Sequence, residues 1–482
     1  MAPTTHPQRV AVIGSGMAGL TTAMLLNGDP QRRYSVTVFE SVSLQIHLSS
    51  LPILIFLLLQ GGKISLDAAS STVRDPVTGE IARVDVPMRA FASGYYKNLR
   101  AMYDYLGVRY HAQRFLFLFS RATELCNGDT HLRNEQLHFI HSSNNHRIPP
   151  IRPRRTQLFT YVLETAYLLV WYIYFSLCCF LVPPLPESGK IPCESFAQYV
   201  RRIRLPMYFI SNYLLPLMSS VATCSHEELL AFPASDLVDY KRMTTGQLHY
   251  VVSDGVGEVQ RKLSQRLNIR FGARIATVQP EANGLRLLWR QEKGKSEFED
   301  QEESFDKVVL AVSPAIVGAI FEPLRDSMAR VPIKEVTSIV YMEEIDQYNN
   351  DFVIQEQGEP KAEIINFRTI GGASPRTESR HRLAFGNTVT TCPLEPVEAS
   401  NIVQESKFTR VLRTPESRQI CNALFESPNT GAMSEKPGRW RNGVQGVWLA
   451  GGWCWDGMVL LEGCVVSAMR VADDFDVVVP WQ

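Results

Sequence analysis

The chain of 482 residues carries no surplus of either charge: 49 Lys and Arg balance 49 Asp and Glu, and no long block of one sign occurs. That removes the electrostatic footprint of a protein that binds nucleic acid or another polyanion. The nine cysteines are odd in number and scattered without paired spacing, so neither a disulfide framework nor a zinc site is expected. They read as reduced thiols inside a cell. His138, His141 and His146 lie close together but match no metal-ligand spacing, and read as solvated residues of a loop. Internal repeats and low-complexity tracts are missing. No cleavable leader is expected, because Arg9 already stands at the edge of the first strand. The expected location is the cytoplasm, with a cytosolic membrane face as a further option. A chain this long exceeds one core, and 45% apolar residues suit a globular protein of two or three domains.

What is present begins at Arg9. The β-branched run Val10-Ala11-Val12-Ile13 leads into Gly14-Ser15-Gly16-Met17-Ala18-Gly19, then helix formers, then a second strand, Val36 to Phe39, ending on Glu40. Strand, glycine turn, helix, strand and acid make up the dinucleotide-binding βαβ unit. Gly14 permits the sharp turn, Gly16 leaves the backbone open to a pyrophosphate, and Gly19 lets the helix lie close on the strand. The helix N-terminus offers N–H groups and a positive dipole end to the phosphates. Glu40 lies 21 residues past Gly19, where a carboxylate can accept ribose hydroxyls.

Further along, Tyr95, Leu99, Met102 and Leu106 follow a helical spacing, and Tyr110–Phe119 and Gln136–Ile140 read as strands. Gly255–Leu267 reads as an amphipathic helix. Asn283-Gly284 signals a hairpin between two strands, and Phe305–Ala311 reads as a buried strand. Near the end, strand Val447–Ala450 runs into Gly451-Gly452, and a helix opens near Glu462-Gly463. Two glycine-bearing strand–helix turns from opposite ends of the chain suit one large, extended cofactor. The second helix would aim its N-terminus at the cofactor's far end, where a positive dipole stabilises an anionic reduced flavin.

Two apolar blocks stand out. Leu51–Leu59 is far too short to span a bilayer. Ala166–Val182 is 17 residues without a charge, preceded by Arg152, Arg154 and Arg155. It reads as a buried core helix, as a monotopic membrane helix or tunnel wall, or as a true span.

With these motifs the chain resembles the flavin-dependent amine oxidase superfamily, nearest to its bacterial and fungal branch of amine-oxidase-like NAD/FAD-binding proteins. The stretches VDVPMRAFASGYYKNLRAMYDYLGV, NYLLPLMSSVATCSHEELLAFPA and VWLAGGWCWDGMVLLEGCVVSAMRVA carry the likeness. The resemblance implies a Rossmann-like α/β FAD-binding domain formed by residues 1–106, 250–325 and 440–482. It implies an interleaved α+β substrate domain over 107–249 and 326–439, with the apolar helix at about 158–183. It places Gly14, Ser15, Gly16, Met17, Ala18, Gly19, Glu40, Gly61, Gly62 and Lys63 around the ADP half of FAD. Ile275 would present the backbone to the adenine, and Gly452, Glu462, Gly463 and Cys464 would lie by the ribityl chain and flavin ring.

Three departures qualify it. The family sets its Gly-Gly-Arg/Lys motif soon after the ribose acid, whereas Gly61 follows Glu40 by 21 residues, an excess of about fifteen. Val42–Gln60 also reads as a retained intron, which would leave an inactive product. Leu460 stands where small-amine oxidases place a cage tyrosine, which disfavours a charged amine. Cys454 lies downstream of the last strand, so non-covalent FAD is expected. The implied activity is an FAD-dependent oxidase or dehydrogenase taking hydride from a lipophilic substrate, with oxygen or another acceptor as partner. A carotenoid- or polyene-type desaturase, and a non-catalytic flavin-fold or membrane-binding protein, stay open.

Overall fold

A computed structural model describes residues 6–41, 70–74, 81–87, 89–122, 136–144, 151–188, 191–294, 297–342, 362–383, 387–425 and 440–482. Gly61, Gly62, Lys63 and the Val42–Gln60 stretch lie outside the described residues. The labelled elements run β1 (Gln8–Ile13), α1 (Met17–Asn27), β2 (Tyr34–Phe39), α2 (Lys97–Leu106), β3 (Phe115–Ala122), β4 (Gln136–Ser142), α3 (Leu158–Leu181) and α4 (Ala234–Thr244). There follow α5 (Val256–Leu263), β5 (Asn268–Arg270), β6 (Ala273–Glu281), β7 (Gly284–Gly294), β8 (Glu297–Phe305), β9 (Lys307–Leu310) and α6 (Pro314–Ile320). The chain closes with β10 (Ile333–Met342), β11 (Glu363–Ile370), β12 (Arg376–Arg382), β13 (Asn387–Thr391), β14 (Ile402–Val411), β15 (Val447–Leu449) and α7 (Leu461–Asp474).

One sheet is wholly parallel, in the order β5-β2-β1-β9-β15. Its inner strands are apolar where both faces are covered, as parallel sheets require, while the edge strand β5 is Asn-Ile-Arg and not buried. Val10 and Val12 are fully buried, paired with Val36 and Val38 on one side and with Lys307 and Val309 on the other. Helices α1 and α7 lie side by side against this sheet. Helix α1 is buried nearly all round, which explains its uniformly apolar sequence. The antiparallel sheet β6-β7-β8 meets the sheet's edge, where Phe39 makes edge-on contacts with Trp289 at 5.2 Å and Phe305 at 5.7 Å between ring centres.

The second large sheet has the order β14-β10-β13-β12-β11-β3-β4, antiparallel except for the β3–β11 pair. Strands from 115–142 thus complete a sheet whose other members come from 333–411. The run expected as one strand from Tyr110 to Phe119 is two. Tyr110–Ala112 pairs with His249–Val252, and β3 pairs with β4 and β11. The chain changes partners at Gln113, whose N–H donates to the His249 carbonyl at 2.9 Å, and at Arg114, whose carbonyl accepts from Glu363 N–H at 3.0 Å.

Two further readings are corrected. His138 and His141 lie in β4, not in a loop. His138 is not solvated: it lies against Tyr213 and Phe119, with ring centres 5.5 and 6.5 Å away, and burial drives its pKa down to about 4. His146 is outside the described residues. The apolar block forms a 24-residue helix, α3, in which only Leu168, Phe175, Cys178 and Cys179 are buried. Among the described residues it is therefore not a core helix.

The second sheet holds a buried ion-pair cluster. Arg368 of β11 and Glu378 of β12 are both nearly inaccessible, Thr390 donates to Glu378 at 2.6 Å, and Arg368 also reaches Glu395 at 3.1 Å. Removing one member of a buried pair strands the other charge away from water. Glu378→Ala is expected to cost about 3–5 kcal/mol of stability by urea denaturation, while Glu405→Ala, on the exposed side of β14, changes it by under about 0.5 kcal/mol.

Candidate functional site

The β1–α1 turn is fixed by contacts too close for side chains. Gly14 has φ +101°, and a Cβ there would lie 2.5 Å from the Ala311 carbonyl oxygen. A Cβ on Gly19 would fall 2.0 Å from the Gly14 carbonyl oxygen, so the helix can sit this close to the turn only without one. Gly16 differs: a Cβ there would meet nothing within 4 Å. It is the N-cap of α1, no side chain caps the helix, and its first turn holds no acid. The positive end of α1 therefore faces open space.

That space is a cavity of about 1530 Å³. Gly14, Ser15, Gly16, Met17, Ala18, Glu40, Ile275, Gly452 and Cys464 all line it. The Glu40 carboxylate is buried and accepts hydrogen bonds from the Ser15 N–H at 3.1 Å and from the Ser15 hydroxyl. Ile275 lies on β6 beside an irregularity in its pairing with β7.

The second turn reaches the same cavity. Its lining includes Gly451, Gly452, Leu460, Leu461 and Cys464, so the N-terminal end of α7 opens onto it, again without a side-chain cap. The Cys464 Sγ lies against Gly452, where an added Cβ would meet it at 3.3 Å. Burial pushes that thiol up to about 11, so it is protonated at neutral pH. Glu462 and Gly463 do not line the cavity. Glu462 turns inward and accepts from Asn98 N–H at 2.9 Å, Asn98 Nδ2 at 2.7 Å and Leu99 N–H at 2.9 Å, closing the N-terminus of α2. Gly463 is pressed under Trp455, whose ring a Cβ would meet at 2.3 Å. Cys454 is fully buried and is also absent from the lining.

Beyond the turns the cavity widens into an aromatic chamber. Phe115, Phe117 and Phe119 of β3, Phe139 of β4 and Phe367 of β11 form its floor, and α3 gives Leu168, Tyr172 and Phe175 to its wall. Leu460 takes part in the lining with no tyrosine at that position, and Trp453 is the tryptophan that joins it.

Sequence reasoning left out the cationic residues of the lining, which are Arg89, Lys241, Arg274, Lys407 and Arg410. The Nε of Arg89 is buried and has no hydrogen-bond partner among the described residues. Arg410, on β14, donates to the Ala222 and Val221 carbonyls at 3.0 and 3.3 Å. Burial first, and the Arg89 charge with it, hold Arg410 below its ordinary pKa. The only available signal was local: Arg89 stands in the VDVPMRAF stretch. Arg410 gave none, because only the β10–β14 pairing carries it to the cavity.

No protein-family model matches the chain, and no curated protein sequence matches it. Among solved structures the chain is similar to the crystal structure of a CLA-producing fatty acid isomerase from P. acnes, with TM-score 0.56 and 11% identity over 98% of this chain and 100% of that one. It is also similar to a double mutant of putrescine oxidase from a structure-based redesign of cofactor binding, with TM-score 0.51 and 12% identity over 98% and 99%. Both have the flavin amine-oxidase-like fold, and at these identities the likeness is one of fold. The chain has that α/β fold.

The two glycines separate folding from binding. Gly16→Ala adds a methyl group to open space, so it is expected to cost under about 1 kcal/mol of ligand-free stability, the scale of an N-cap change. It should weaken FAD binding by tenfold or more, about 1.4 kcal/mol, measured by flavin fluorescence titration. Gly19→Ala drives a methyl group into the Gly14 carbonyl and is expected to lower the melting temperature even without FAD.

Proposed function

We propose that the chain is an FAD-dependent oxidoreductase acting on a lipophilic small molecule with an acidic head. The observation that carries this reading is the single cavity. It runs from the open N-terminus of α1 and the Glu40 carboxylate, past the start of α7, into a chamber walled by aromatic rings. At about 1530 Å³ it exceeds the roughly 300–1,000 Å³ of a one-ligand pocket, leaving room for a cofactor and a substrate together.

The residues fit FAD. The space over Gly16 admits a pyrophosphate, which the N–H groups and dipole of α1 would hold. Glu40 would accept the ribose hydroxyls, exchanging its Ser15 contacts for them. The N-terminal end of α7 would face the flavin end and favour its anionic form. Cys454 is fully buried off the lining and Cys464 is held as a neutral thiol, both of which favour non-covalent attachment. Bound flavin supplies a two-electron acceptor.

This chain's own groups would bind, orient and dry the substrate. The aromatic chamber removes an acyl or polycyclic body from water, where each buried CH₂ contributes about 0.8 kcal/mol. Arg89 and Arg410 give the cavity a cationic wall. A carboxylate or similar anion there would satisfy the Arg89 guanidinium and relieve its repulsion with Arg410. With Leu460 in place of a cage aromatic, a protonated amine has little to hold it.

Protein purified with FAD is expected to be yellow, with flavin absorption that stays with the protein on gel filtration. Anaerobic mixing with long-chain carboxylic acids should bleach it. A colourless protein whose melting temperature ignores FAD would defeat the reading. Arg89→Met should raise Kd or KM for an acidic substrate by about tenfold to a hundredfold, the scale of a charge-assisted hydrogen bond, and leave its methyl ester unaffected.

A further inference from the structure

Helix α3 presents an outward face that no other part of the described chain covers. Phe159 and Leu181 are 74% exposed, and Val162, Leu163, Val170, Ile173, Leu177 and Phe180 are each about half exposed or more. The sole charged residue of the helix, Glu164, turns inward and accepts hydrogen bonds from Tyr208 at 2.9 Å and from Tyr213. The outward face is therefore apolar from end to end. Leu185, Ile191, Met207 and Met243 are exposed as well. Scattered single apolar residues are ordinary on a protein surface, but a contiguous stripe of this length is not.

Its borders are basic. Arg152, Arg154 and Arg155 are exposed in the turn that leads into the helix. Along the flank, Lys241 stands 4.3 Å above the Tyr172 ring and donates to its hydroxyl at 2.8 Å, and Arg242 lies 6.0 Å from the Phe180 ring. Asp239 offsets Arg242, to which it is paired at 3.3 Å. An apolar stripe with aromatic residues and a rim of Lys and Arg is the pattern of a helix lying in the headgroup region of an anionic bilayer.

We infer that this face docks the protein onto an anionic phospholipid membrane, with α3 lying in the plane of the interface. The 24 residues would reach about 36 Å, enough to span. A spanning helix needs lipid or apolar protein around its whole girth, and α3 does not have it. Leu168, Phe175, Cys178 and Cys179 are buried against the body of the protein, and the Tyr174 hydroxyl donates to the Ile203 carbonyl at 2.7 Å. The inner face of α3 also lines the aromatic chamber through Thr165, Leu168, Tyr172 and Phe175. One helix is thus the membrane face outside and the chamber wall inside, so a lipophilic substrate passes from bilayer to cavity without crossing water. That access role rests on the proposed activity, whereas the docking does not.

The test is co-sedimentation of the full chain, with and without FAD, on phosphatidylcholine vesicles that contain or lack phosphatidylglycerol. The expected result is binding that strengthens with phosphatidylglycerol and weakens with salt. Val170→Glu combined with Ile173→Glu, at positions outside the cavity, should weaken binding about a hundredfold with an unchanged circular dichroism spectrum. A chain that stays in the supernatant with both vesicle types overturns the inference, as does a double variant that binds like the original. So does a vesicle-indifferent dimer, seen by light scattering, that the double variant dissociates, which would make the face a contact between copies. Vesicle binding by a chain that ignores FAD would support docking and remove the oxidoreductase reading.

Discussion

Everything at the candidate site depends on two helix N-termini opening toward one cavity, held there by backbone approaches that exclude a Cβ. Gly14 against Ala311, and Gly19 against Gly14, set α1 directly behind β1. Helix α7 packs alongside α1. Neither helix carries a side-chain cap or a basic residue in its last turn. At α1, whose first turn holds no acid, such an end has unmet N–H groups and an uncompensated dipole and favours an anion, whereas Glu462 stands in the first turn of α7. The Glu40 carboxylate lines the same cavity and accepts from the Ser15 N–H.

Around this centre the second sheet and α3 make a space of a different kind. The phenylalanines of β3 alternate so that several face the chamber, and α3 closes it from outside. Two guanidinium groups in such surroundings cost solvation unless an anion joins them. The Arg368–Glu378–Glu395 cluster shows how the same fold handles a buried guanidinium where no ligand is expected, by surrounding it with carboxylates. Arg89 and Arg410, which line the cavity, have no carboxylate partner among the described residues.

Local signals in the sequence located most elements well. The βαβ unit, the Asn283-Gly284 hairpin with Gly284 at φ +135°, and the terminal strand–helix pair all form where turn chemistry and periodicity place them. The misreadings share a cause. Whether His138 is solvated, whether α3 is a core helix and where Tyr110–Phe119 breaks each depend on which distant strand or helix lies alongside. Periodicity reports that a segment has an apolar face, without saying what covers it.

The sequence by itself determined the cofactor-type turn, because the glycines, the β-branched strand and Glu40 act through local geometry within about thirty residues of chain. Only the tertiary structure decided that Glu462 caps α2 while Cys464 reaches the cavity, though they are two residues apart. It alone brought Arg89 and Arg410 together and left one side of α3 uncovered among the described residues. Helical neighbours point in different directions, and strand register is set by partners hundreds of residues away, so such choices belong to packing.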